Sequence, residues 1–130
     1  MGLDMYLYGV KQEFEKHDYN IGGYKECTEI GYWRKANAIH NWFVEMVQDG
    51  EDNCATYCVS HEDLEALKDR VEDVLLEPDR AEELLPTCSG FFFGPTEYDE
   101  YYFEELKNTL EIINWGLSQD YSYFEYHSSW

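Results

Sequence analysis

The hydrophobic pattern changes period along this chain, and that change limits the folds open to it. Leu3, Met5 and Leu7 alternate with Asp4, Tyr6 and Tyr8, the two-residue period of a strand that Gly9 is expected to end. Residues 121–126 alternate aromatic with polar in the same way. Between these ends the period lengthens to that of a helix. Ser60, with Asp63 three residues on, is a capping box, and Leu64, Leu67, Val71, Val74 and Leu75 carry one apolar stripe to Pro78. Thr96 and Asp99 have the same spacing ahead of Phe103, Leu106, Leu110, Ile113 and Leu117. A further helix is predicted from Trp33 to about Gln48, stopped by Asp49-Gly50, and one more turn over Ala81–Leu85. Residues 24–30 and 54–59 read as short strands, and the polar stretch 11–23, closing on Gly22-Gly23, as a loop.

Strands at both ends with three or four helices between them predict an α+β fold. In it a small antiparallel sheet packs against the helices. A mostly helical arrangement is the alternative. The 130 residues fit a single domain, 1–130, with no repeat or linker. A chain of that length buries roughly two-thirds of its unfolded surface, so a core needs no covalent staple. Cys27, Cys54, Cys58 and Cys88 follow no secretory leader, which predicts reduced thiols in a cytoplasmic setting. No apolar run approaches the length of a membrane span.

Charge narrows the partners. The chain carries 28 Asp and Glu against 9 Lys and Arg, a formal net charge of -19. A domain of this size is about 36 Å across, and duplex DNA of that length carries about 20 charges. Direct nucleic-acid binding is therefore disfavoured, while imitation of nucleic acid and simple solubility both fit.

Against that background one segment stands apart. Tyr32-Trp33-Arg34-Lys35-Ala36-Asn37-Ala38-Ile39-His40-Asn41-Trp42-Phe43 gathers two cations, one histidine, two asparagines and four aromatics. On a helix starting at Trp33, Ala36, Ile39, Phe43, Met46 and Val47 share one arc. Lys35 falls inside it, Arg34 points away and His40 lies at its edge. Lys35 then sits at a helix start, where free backbone N–H groups favour an anion. Equally, it snorkels to water over a packed face.

Asp99 falls on the apolar arc of its own helix, either as a cap or as a carboxylate facing Lys35 across a pocket. The Phe91-Phe92-Phe93 cluster between Gly90 and Gly94 is either core or a stacking surface. The candidate ligand-binding set is Trp33, Arg34, Lys35, Asn37, His40, Phe92, Tyr98, Asp99 and Tyr102.

Metal and catalytic signals are weak. Cys54, Cys58 and His61 give C-x3-C-x2-H with no second pair, and two of these, Cys54 and Cys58, read as small buried side chains on one strand face. No phosphate loop, nucleophile elbow or zinc-protease motif occurs. His40, Tyr98 and Asp99 form an acid–base set that most sequences allow. No metal or cofactor is expected, and binding is expected over catalysis.

The opening Met1-Gly2-Leu3-Asp4-Met5-Tyr6-Leu7, the central Tyr32–His40 string and Ser89-Gly90-Phe91-Phe92-Phe93-Gly94 resemble a family of small phage and prophage proteins. Thr96, Tyr98-Asp99-Glu100-Tyr101-Tyr102 and Ser128-Ser129-Trp130 extend the resemblance over nearly the whole chain. It implies a viral or prophage origin and a host bacterial cytosol. By association, small phage proteins of this kind inhibit host defence. Two mechanisms follow. In one, a small nucleotide-like signal is sequestered, its phosphates at Lys35 and Arg34 and its base on Trp33, Phe92 or Tyr102. In the other, the acidic surface occupies the nucleic-acid channel of a host defence protein. The first is favoured, because a purely acidic decoy has no need of Lys35 and Asp99 where they stand. Tyr121, Tyr123 and Trp130 are candidates for a homo-oligomer surface.

Overall fold

The computed structural model describes residues 2–17, 20–90 and 93–130, with the backbone alone for 13–17 and 20–24. Strands β1 (Asp4–His17), β2 (Asn20–Arg34), β3 (Thr56–Val59) and β4 (Tyr123–Ser129) form one sheet in the order β2-β1-β4-β3. Every pairing is antiparallel. Helices α1 (Asn37–Met46), α2 (His61–Leu76), α3 (Ala81–Leu84) and α4 (Glu100–Ser118) complete the α+β domain.

The sheet is larger than its sequence signal. β1 does not end at Gly9. The strand runs straight through that glycine, paired on both sides with Thr28 and Phe124, and the position is glycine because a Cβ there would lie 2.5 Å from the Tyr121 ring. Nor is 11–23 a loop, since β1 and β2 stay paired from Asp4↔Arg34 to His17↔Asn20. Pairing of β1 with β4 stops at Val10↔Tyr123, so beyond it the ribbon has only two strands and lacks the alternation a buried face imposes. The polar composition read as a loop reflects that. Between Leu7 and Tyr8 the register slips, leaving one extra residue in β2 as a bulge.

The junction between β2 and α1 differs most from expectation. Trp33 and Arg34 pair with Met5 and Asp4 at the end of β2, so they are not helical. Lys35 adopts a left-handed φ of 56°, and its N–H donates to the Leu3 carbonyl at 2.7 Å. The helix begins only at Asn37. Long-range strand pairing has overridden a local pattern that suits a helix. At the other end the helix stops at Met46, which is 63% exposed instead of on the buried arc, and Val47 is only half-buried. Asp49 and Gly50, at φ 56° and 81°, turn the chain away.

Local signals held elsewhere. Both bonds of the capping box are present in α2: Asp63 N–H to Ser60 Oγ and Ser60 N–H to Asp63 Oδ2, each 3.0 Å. Leu64, Leu67, Val71 and Val74 are buried. In α4 Asp99 is itself the N-cap, accepting from Tyr102 N–H at 3.2 Å, so the Thr96–Asp99 box does not form. β3 starts at Thr56 because Cys54 has a left-handed φ of 58°; Cys54 is half-buried and Cys58 exposed, not a buried pair on one strand face.

The helices lie on the sheet face that carries Leu3, Met5, Leu7, Trp33, Phe124 and Tyr126. Phe43 of α1 stacks on Tyr126 at 3.9 Å between ring centroids, 9° from parallel. α4 approaches β2 closely at Gly116, where a Cβ would meet Ile30 at 2.8 Å. Among the described residues no helix is long and apolar enough to cross a membrane.

Candidate functional site

The strand-to-helix junction opens onto a cleft. Lys35, Asn37, Thr87, Tyr101, Tyr102 and Glu105 contribute to its walls, and its volume is about 310 Å³ including the solvent at its mouth. The enclosed part is only about 20 Å³, room for about one water, so the cleft is a shallow notch far below the roughly 300–1,000 Å³ of ligand pockets.

Three features of this cleft are unmet. First, Ala36 precedes α1 and supplies no side-chain cap, so the first-turn N–H groups have no side-chain acceptor. Second, Lys35 holds a left-handed backbone that costs a non-glycine residue about 1–2 kcal/mol. Gly94, at φ 86°, packs against its stem: a Cβ there would fall 2.9 Å from Lys35 Cβ. Third, Glu105 Oε2 is shielded from water and lacks a hydrogen-bond partner. Burial, with Glu104 adding to it, pushes the Glu105 carboxyl up from the usual range. Tyr101, 44% exposed, stands at the mouth and donates from its hydroxyl to the Arg34 carbonyl at 2.8 Å.

Of the residues nominated from the sequence, Lys35, Asn37 and Tyr102 line this cleft. Asn37 is buried and fully bonded: Nδ2 donates to the Phe93 and Pro95 carbonyls at 2.9 Å, and Oδ1 accepts from Cys88 N–H at 3.0 Å. It staples the 88–95 segment to α1. The Tyr102 hydroxyl donates to the Leu85 carbonyl at 2.7 Å, and that ring is buried. Tyr98 lies behind it, accepting from Thr87 N–H at 3.1 Å and edge-on to Tyr102.

Trp33 is a core residue whose Nε1 donates to Thr109 Oγ1 at 2.9 Å. Arg34 is exposed, 4.0 Å from Asp4. Asp99 caps α4 and does not line the cleft; the carboxylates that do are Glu97 and Glu105. No Lys35–Asp99 ion pair occurs among the described residues. Phe92 lies outside the described residues.

His40 belongs to a separate network. Its ring is 1% exposed, with Nδ1 2.6 Å from the Tyr126 hydroxyl and Nε2 3.0 Å from Asp52 Oδ1. Trp130 Nε1 also donates to Asp52 Oδ1 at 3.0 Å, and Phe93 meets the His40 ring edge-on. Burial lowers the His40 pKa and outweighs the Asp52 carboxylate, which acts the other way. A neutral imidazole then donates from Nε2 to Asp52 and accepts at Nδ1 from Tyr126, whose own ionisation burial opposes. With Tyr126 0% exposed, this Asp–His–Tyr set ties elements together and offers no reacting atom to a ligand.

The sequence pattern did not single out Tyr101 or Thr87, and Glu104-Glu105 has the look of a solvated helix face, whereas Glu105 is half-buried. Glu105 had a usable signal, because it stands three residues after Tyr102 and four before Thr109, both on the buried stripe of α4. The acid–base trio anticipated as His40, Tyr98 and Asp99 has the right residue types at other positions, with Tyr126 and Asp52 beside His40. Among the described residues no three His, Cys, Asp or Glu side chains are grouped to hold a metal ion. Comparison with protein-family models, curated proteins and solved structures finds no match to this chain.

Proposed function

We propose that the protein is a non-enzymatic binding protein that captures a small phosphate-bearing, nucleotide-like anion at the start of α1. Lys35 carries this reading. A left-handed lysine before an uncapped helix is an unfavourable way to make a turn, and such strain concentrates where a side chain must be held for a ligand. In this reading a phosphate is held between its ammonium and the first-turn N–H groups. The phosphate then sits at the mouth of the cleft and the base over the exposed Tyr101, since the enclosed space holds only about one water. Sequestering a nucleotide signal in this way accords with the phage counter-defence role that the motif resemblance implies. Calorimetric titration with cyclic and ADP-ribose-type nucleotides tests it. Wild-type protein is expected to bind one of them and Lys35→Ala to lose at least tenfold in affinity, about 1.4 kcal/mol. If no such nucleotide binds, the reading fails.

A second reading rests on charge segregation. Residues 36–130 hold 22 carboxylates against four cations, and Glu62, Glu65, Asp69, Glu72 and Asp73 are exposed along α2 alone. That layer suits a decoy for the nucleic-acid channel of a host defence protein. Such binding weakens steeply with salt; a salt-insensitive complex would contradict it.

A further inference from the structure

We draw no further inference here: the strongest candidate, the outer face of the sheet where the rings of Tyr8, Tyr32 and His127 gather around Tyr6 away from the helices, carries nothing because nothing in the structure shows what covers it.

Discussion

Two groups of polar residues flank the first turns of α1, and they have opposite accounts. On one side His40 has both ring nitrogens bonded, to Tyr126 and Asp52, and Trp130 closes the network. On the other, Lys35 is strained, α1 is uncapped and Glu105 Oε2 has no partner. Both look like chemistry in the sequence. Only the second leaves backbone donors without a side-chain acceptor, which is what an anion needs, with Glu105 acting against it. A titratable trio is thus no sign of a site when both ring nitrogens and the hydroxyl in it are buried and bonded, and unmet donors around an opening are.

The contrast predicts that changes in the His40 network lower stability and leave anion affinity alone, while changes in the cleft alter anion affinity and do not lower stability. The largest effect belongs to His40→Ala. It opens a cavity, strands the buried Tyr126 hydroxyl and leaves Asp52 with Trp130 alone, and urea denaturation is expected to show a loss of about 3 kcal/mol. Nucleotide affinity of the folded fraction stays within twofold. A large drop in affinity without a drop in stability would merge the two regions.

Tyr126→Phe removes only the donor to His40 Nδ1 and is expected to cost about 1–2 kcal/mol in the same assay.

The pH dependence sharpens the comparison further. His40 has a folded pKa below its unfolded value, so the unfolded chain binds the extra proton. Its contribution is complete above about pH 6.5 and is lost as pH falls through that value towards the folded pKa. Glu105 has the opposite sign, because its folded pKa is raised: folding binds the proton, and stability from it declines as pH rises past about 4.3. Thermal melts of His40→Gln between pH 7 and pH 5 are expected to be flatter than those of wild type. An unchanged slope would mean that His40 does not titrate in this window.

Smaller effects come from the cleft. Lys35→Gly relieves the left-handed backbone and is expected to raise stability by about 1 kcal/mol while weakening anion binding. A gain in stability with unaltered binding would leave Lys35 as an ordinary strained turn. Glu105→Gln removes a carboxyl that opposes an anion and is expected to tighten binding a few-fold by calorimetry, more so at pH 8 than at pH 5.

What the sequence made legible was local. The Ser60–Asp63 box and the stripe behind it lie within one turn of each other, and α2 formed as the pattern requires. The long hairpin was not legible, because beyond Val10 its two strands pair only with each other and the polar sequence there shows no two-residue alternation. The β2–α1 junction was set by partners far away in sequence: Leu3 holds Lys35, and Met5 holds Trp33 in a strand. Lys35 was nevertheless found at a helix start, for the wrong geometric reason. A residue-type pattern locates unusual chemistry, but which groups end up satisfied depends on contacts that only the fold creates, such as Asn37 with Phe93 and Pro95.

The central claim is that the unmet groups at the start of α1 bind a phosphate-bearing anion. Backbone amide NMR during titration with ADP-ribose tests it most directly. Saturable shifts centred on the amides of Asn37, Ala38 and Ile39, abolished in Lys35→Ala while the His40 side-chain signals stay put, are the predicted result. Shifts that avoid those amides, or that persist unchanged in Lys35→Ala, would contradict it.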